Sequence, residues 1–124
     1  MKIQPGDIIG RWEGVYTHVG VVLDGFSVFQ NTKERGEHLT GIVEFSGGQK
    51  LSIRNQEYGI PRGKSVSPFD IRPSGKAYDW ISNNCDHTVT RILTGIPFSP
   101  QLRLAFLIAG AFVVVSFVAA KRRR

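Results

Sequence analysis

Residues 16–30 read YTHVGVVLDGFSVFQ, and this stretch decides the fold that we predict for the chain. Two runs rich in β-branched and aromatic residues flank Asp24-Gly25, and Asp-Gly between two apolar runs is one of the strongest short-range signals of a β-hairpin. The first run carries an imidazole side chain, that of His18, at a mid-strand position. We therefore predict two antiparallel strands with a histidine on the first.

The length of the hairpin loop determines which residue lies beside His18. A two-residue loop at Asp24-Gly25 places Asn31 opposite His18. A three-residue loop or a β-bulge instead brings Gln30 onto the face of the sheet that carries His18. Both registers are compatible with the sequence, so both residues are candidate partners for the imidazole.

The segments on either side of the hairpin contain further strand signals. We expect strands around residues 7–12, 42–45 and 49–54, a polar loop at 31–40 and a turn at Gly47-Gly48. Residues 59–75 are rich in proline, glycine and serine, which predicts an irregular connection.

The clearest helix signal in the first hundred residues begins near Asn84. Four residues have the spacing of one helix face: Cys85, Val89, Ile92 and Leu93. Asn83 or Asn84 can cap the start, and Gly95 can end the helix. A shorter helical turn is expected at 76–81. Residues 1–101 therefore predict an α+β domain, with a small antiparallel sheet packed on a helix that carries the cysteine at its N-terminus.

The charge of the chain is concentrated at its C-terminal end. The 124 residues carry a net charge of +6, but residues 1–101 contain 11 Lys and Arg against 10 Asp and Glu. The other basic residues are Arg103 and the cluster at 121–124. A general nucleic-acid-binding surface is therefore not expected. A single cysteine also excludes an internal disulfide and a multi-cysteine zinc site.

Residues 104–120 read LAFLIAGAFVVVSFVAA, which is 17 residues without a charge. A helix of that length reaches about 26 Å, near the thickness of a bilayer core, and Arg103 and the basic cluster can anchor its two ends. A buried C-terminal helix is the alternative, but a small domain has little room to enclose a helix that is apolar on all sides. We therefore assign residues 102–124 to a transmembrane helix with a basic tail.

The N-terminus has no apolar segment that would act as a signal peptide, so we expect a single-pass, tail-anchored membrane protein. The positive-inside tendency would hold the tail in the cytoplasm, with the domain outside. An N-terminal domain without a signal indicates the opposite orientation, a cytosolic domain, which we favour. The small residues Ala105, Ala109 and Gly110 could allow such helices to self-associate, although no full GxxxG motif is present.

Cys85 is the first candidate for chemistry. A thiol at a helix N-terminus lies beside unpaired N–H groups, which lower the pKa of a thiol and can hold an oxyanion. The alternative is a small apolar side chain on the inward face of the helix.

A nucleophilic thiol needs a base, and three histidines are available. His87 points away from Cys85 on the same helix, and His38 lies in a charged loop. His18 is the remaining candidate, because a strand-borne histidine facing a cysteine at a helix N-terminus is the arrangement of papain-type pairs.

Three segments in this order resemble the lecithin retinol acyltransferase-like proteins: PGDIIGRWEGVYTHVGVVLDG at 5–25, VFQNT at 28–32 and NNCDHTVTRILTG at 83–95, followed by an apolar helix. This family is a circularly permuted branch of the NlpC-like, papain-fold cysteine enzymes. The resemblance implies that Cys85 is the acyl-accepting nucleophile, His18 the base and Tyr16 a residue near the oxyanion. Gln30 stands where the family commonly has a second histidine, which is the clearest departure. No cofactor and no metal are implied.

The resulting expectation is a membrane-anchored thiol acyltransferase or phospholipase that acts on lipid esters through an acyl-thioester on Cys85, with membrane lipids as its partners. A cysteine peptidase or amidase on the same fold, acting on a peptide or amide substrate, is the second possibility. A non-catalytic membrane adaptor that retains the fold is the third, and membrane damage by the apolar tail itself is the fourth.

Overall fold

The computed structural model describes residues 2–122. Its elements, in chain order, are β1 (Ile8–Trp12), β2 (Thr17–Val22), β3 (Ser27–Thr32), β4 (Gly36–Gly41), α1 (Ile42–Ser46), β5 (Ser52–Ile53), α2 (Asn55–Tyr58), a 3₁₀ turn (Pro68–Asp70), α3 (Cys85–Thr94) and α4 (Pro100–Arg122). The five strands form one antiparallel sheet in the order β4-β3-β2-β1-β5. The predicted α+β class is confirmed.

Apolar side chains on the two faces of the sheet form two separate clusters. On one face, strand residues such as Val19, Val21 and Phe29 pack against Cys85 and Val89 of α3. Strand side chains alternate between faces, so their neighbours along the chain point the other way.

The second cluster contains Ile9, Val22, Val28 and Phe45, the last from α1. Gly20 permits the close approach of α1, because a Cβ at this position would lie 2.9 Å from the Phe45 ring. Helix α3 therefore covers one face of the sheet and α1 covers part of the other.

The predicted hairpin is confirmed, and its loop has three residues. Gly20 pairs with Gln30, and Val22 pairs with Val28, which leaves Asp24, Gly25 and Phe26 in the loop. The backbone at Gly25 and at Phe26 is left-handed, with φ of 82° and 67°. This is the register that places Gln30, and not Asn31, on the face of His18.

Three secondary-structure predictions are wrong. Residues 42–45 form helix α1 and not a strand, because Ile42 and Phe45 have the spacing of one helical turn and both pack on the sheet. Much of the predicted loop at 31–40 is strand β4, whose side chains are mostly not buried, so that no apolar pattern marks it. Residues 76–81 are not helical: backbone bonds between Asp79 and Asn83 close a turn there.

The expected strand at 49–54 is present only as the two residues of β5. The helix predicted near Asn84 is confirmed: α3 begins at Cys85, with Asn84 as its N-cap, and ends before Gly95.

Helix α4 contains 23 residues, none of which is buried against the domain. At 1.5 Å per residue it measures about 34 Å, and it is long and apolar enough to span a membrane. The basic end of the predicted anchor is described as far as Arg122, and Arg123 and Arg124 lie outside the described residues.

Candidate active site

Cys85 is the first residue of α3. The Asn84 side chain accepts a bond from the His87 backbone N–H at 3.1 Å, and His87 Nδ1 accepts one from the Asn84 N–H at 3.1 Å. This reciprocal cap fixes the start of the helix. His87 is therefore a capping residue, and Cys85 lies beside the free N–H groups of the first turn.

The Cys85 thiol lies at a gap between β2 and β3. The pairing of these strands ends at Gly20, so the first residues of β2 have no β3 partner. The N–H and C=O groups of an antiparallel strand point alternately to its two neighbours. The backbone groups of Tyr16 and Val22 form their hydrogen bonds on the β1 side, so the backbone N–H and C=O groups of Thr17 and Val19 face the gap. Cys85 Sγ lies 4.0 Å from the Thr17 carbonyl oxygen at this edge.

Gln101, in the first turn of α4, occupies the same gap. Its Nε2 donates to the Thr17 carbonyl at 2.8 Å, and its Oε1 accepts from the Thr17 N–H at 2.8 Å. One side-chain amide thus replaces the missing strand partner of Thr17. The thiol and the start of the apolar helix share one carbonyl oxygen.

His18 and Gln30 are brought together on the other face of the sheet. His18 Nε2 donates to Gln30 Oε1 at 2.8 Å, and the imidazole stacks on the Phe45 ring with centroids 5.2 Å apart. Both polar residues are buried. Gln30 is therefore the neighbour of His18, as the longer of the two predicted hairpin loops requires.

The structure does not bring His18 into hydrogen-bond contact with Cys85. The thiol reaches the backbone edge of β2 from the α3 side, whereas the imidazole lies on the α1 side of the same strand. The thiol and the imidazole lie on either side of one short segment of β2, residues 17–19. They do not face each other as the papain-type arrangement predicts.

Burial governs the protonation of both groups. Together with the negative charge of the Asp86 carboxylate, it raises the pKa of the Cys85 thiol to about 12. The backbone N–H groups of Val19 and of the helix start lower this pKa, but by less. The pKa of Cys85 is therefore raised and not lowered as expected at a helix N-terminus, because the residue is only 2% exposed. Burial also lowers the pKa of His18, and the bond to Gln30 opposes this shift. Both shifts favour the neutral form, of the thiol and of the imidazole.

The other candidate residues have distinct positions. Tyr16 precedes β2 and is partly exposed, and burial, followed by the proximity of Cys85, raises its pKa. Asn31 points away from His18, and its Nδ2 donates to the Asn83 carbonyl at 2.9 Å. His38 Nδ1 donates to the Gly36 carbonyl at 2.7 Å.

Asp86 is a residue of the site whose role the sequence does not reveal. Its carboxylate is buried and accepts from Ser99 Oγ at 2.8 Å, from the Gln101 N–H at 3.1 Å and from Gln101 Nε2 at 2.8 Å. The Tyr58 hydroxyl also donates to it. In the sequence Asp86 is only an acidic residue after Cys85, whereas in the structure its carboxylate holds the start of α4 in place.

Within residues 2–122 there is no group of three or more His, Cys, Asp or Glu side chains that could hold a metal ion. Comparison of the chain with family models, with curated proteins and with solved structures returned no match.

Proposed function

We propose that this protein is a membrane-anchored cysteine enzyme, an acyltransferase or hydrolase that acts on lipid esters. The observation that supports this most directly is the link between Cys85 and α4. Gln101 of α4 bonds to the carbonyl that lies beside the Cys85 thiol, so the candidate nucleophile is adjacent to the first turn of an apolar helix. A helix that spans the bilayer would hold this site at the lipid surface and raise the local concentration of lipid substrate.

The proposed chemistry begins with the Cys85 thiol and an ester carbonyl. Sulfur attacks the carbonyl carbon, the S–H proton passes through an imidazole to the leaving alcohol, and the C–O bond breaks to leave an acyl thioester. Water or an amine then attacks the thioester, and the sulfur regains its proton. In this proposal the N–H groups at the start of α3 stabilise the negative charge on the carbonyl oxygen.

His18 is the proposed base, and Gln30 orients it. With Nε2 bonded to Gln30, the proton acceptor of the neutral imidazole is Nδ1. Since His18 and Cys85 flank the same segment of β2, the productive arrangement requires that the gap between β2 and β3 widen when a substrate enters, so that the imidazole can reach the thiol. Catalytic contacts that are long in a free enzyme often shorten in this way when the substrate binds. Tyr16 immediately precedes β2, and in this proposal its hydroxyl contacts the oxyanion.

In this proposal α4 is a single transmembrane tail anchor, with the domain facing the cytosol. The domain is the permuted papain-like fold that the resemblance implies.

The test is formation of the thioester. We expect the full-length protein, incubated with phosphatidylcholine vesicles, to gain the mass of one acyl chain. Neutral hydroxylamine should remove this mass, because it cleaves thioesters. Cys85→Ala should abolish the adduct, whereas Asn31→Ala, on the same side of the sheet, should retain it. Absence of any acyl adduct, with product formation unchanged in Cys85→Ala, would refute the proposal.

The burial of the thiol favours a second candidate, a non-catalytic membrane adaptor with the same fold. A fully protonated thiol without a histidine contact is also what a structural cysteine would show. The two candidates differ in how a lipid affects the thiol. An enzyme should react faster with a lipid-like electrophile than with iodoacetamide, whereas an adaptor should react slowly with both.

A further inference from the structure

A cavity of about 390 Å³ lies between the start of α3 and the first two turns of α4. Six residues line it: His87, Ser99, Leu102, Arg103, Phe106 and Leu107. It is separate from the β2–β3 gap, because none of its lining residues is Cys85, His18 or Gln30. The two sites adjoin at the first turn of α3, where His87 and Cys85 point apart, and at the first turn of α4, where Gln101 occupies the gap and Leu102 lines the cavity.

The lining changes from polar to apolar along α4. Arg103 carries the last charge before the uncharged run at 104–120, and Phe106 and Leu107 follow one turn deeper on the same helix face. Among residues 2–122 no carboxylate forms an ion pair with Arg103. The Asp86 carboxylate, which is bonded to the lining residue Ser99, also accepts from Gln101. The cavity thus has a cationic end without an internal counter-ion.

We propose that this cavity binds one anionic phospholipid from the leaflet next to the domain. The phosphate contacts Arg103, and the upper part of an acyl chain packs on Phe106 and Leu107. This inference rests on the proposed insertion of α4, since insertion puts Arg103 at headgroup depth and Phe106 at the depth of the acyl chains.

A soluble anion fits this cavity less well, because half of the lining side chains are apolar and would remain in contact with water. A neutral lipid would fill the apolar end but would leave Arg103 without a counter-charge. Since burial lowers the pKa of His87, the positive charge of the site comes from Arg103.

The experiment uses the full-length protein in nanodiscs with equal amounts of phosphatidylglycerol and phosphatidylcholine. Lipids that remain bound after release from the disc are counted by native mass spectrometry. We expect phosphatidylglycerol to be enriched by about fivefold, the ratio expected for one basic residue at a membrane surface. Arg103→Gln should reduce this ratio to near one, and Arg103→Lys should restore most of it. Arg122→Gln, at the opposite end of α4, is the matched control and should leave the ratio for this bound lipid unchanged.

A second pair of variants tests the cavity itself without a change of charge. Leu107→Trp fills the cavity and should expel the lipid, whereas Val113→Trp, elsewhere on the exposed surface of α4, should not. Equal lipid retention in these two variants would overturn the proposal, as would displacement of the lipid by millimolar inorganic phosphate.

Membrane insertion is measured separately, by flotation with vesicles of phosphatidylcholine alone. A wild-type protein that does not float would contradict the proposed anchor. A protein that floats but binds both lipids equally would contradict only the lipid site.

Discussion

The side-chain amide of Gln101 bonds both to the N–H and to the C=O of Thr17, 84 residues earlier in the chain. A glutamine at the start of an exposed apolar helix therefore acts as the strand partner of the first residue of β2. The Cys85 thiol lies against the same carbonyl. The position of α4 and the exposure of the thiol are consequently linked through one amide group.

Gln101→Ala should make the Cys85 thiol more reactive. Two hydrogen bonds to Thr17 and one to Asp86, worth about 1 kcal/mol each, hold the amide in the gap, so their loss should increase transient exposure of the thiol by at least about tenfold. The rate of alkylation by iodoacetamide at pH 8, followed by mass spectrometry, measures this effect. Gln49→Ala, in an exposed turn, should alkylate at the wild-type rate. If the two variants react within a factor of two of each other, Gln101 does not control access to the thiol.

Asp86→Ala should destabilise the domain strongly. The substitution leaves the Tyr58 hydroxyl, the Ser99 hydroxyl and two groups of Gln101 without their acceptor, and each buried unpaired polar group costs about 1–3 kcal/mol. We expect the free energy of unfolding in detergent, from urea titration, to fall by about 3 kcal/mol or more. Asp70→Ala, at an exposed site, should change it by less than about 0.5 kcal/mol. Similar values for both variants would show that the Asp86 network adds little to stability.

Gln30→Leu should cost about 1–3 kcal/mol of unfolding free energy, because His18 Nε2 would remain buried without an acceptor. Gln30→Glu, which keeps an acceptor, should instead raise the pKa of His18, and an NMR titration of the imidazole would detect the change. An unchanged His18 titration in both variants would mean that the two side chains do not interact in solution.

Acidification should destabilise the fold through His18. Burial lowers its pKa in the folded protein, so between pH 7 and pH 5 the unfolded chain binds more protons than the folded one. The unfolding free energy should therefore fall as the pH drops through the ordinary histidine value near 6.5, by at most about 1.4 kcal/mol per pH unit for this group.

His18→Gln should make this pH dependence shallower. Part of the slope should remain, since burial lowers the pKa of His87 in the same direction. A slope identical to that of the wild type would show that His18 is not the group responsible.

The hairpin and α3 were predictable because their signals are local. Asp24-Gly25 lies between two β-branched runs, and Asn84 and Gly95 bracket a stretch with helical spacing. The short run at 42–45 was ambiguous, because Ile42 and Phe45 fit either a strand or one helical turn, and only packing against the sheet decides between them.

The arrangement around the thiol was not predictable in the same way. The contacts of Gln101 with Thr17 and of Asp86 with Ser99 join segments whose pairing depends on the whole fold. The pKa of Cys85 likewise depends on how deeply α3 packs. Local sequence identified the helix N-terminus, which lowers the pKa of a thiol. It did not reveal the burial of Cys85, which raises that pKa by more.

The three-residue loop at Asp24–Phe26 makes the identity of the His18 partner depend on a distant turn. Deleting one codon there would shift the register, exchange Gln30 for Asn31 beside the imidazole and turn Val28 and Phe29 to the wrong sides of the sheet. A substitution at position 30 should therefore be tolerated much more easily in evolution than a deletion in the loop. The hairpin tip, although exposed, should tolerate changes of residue type and reject changes of length.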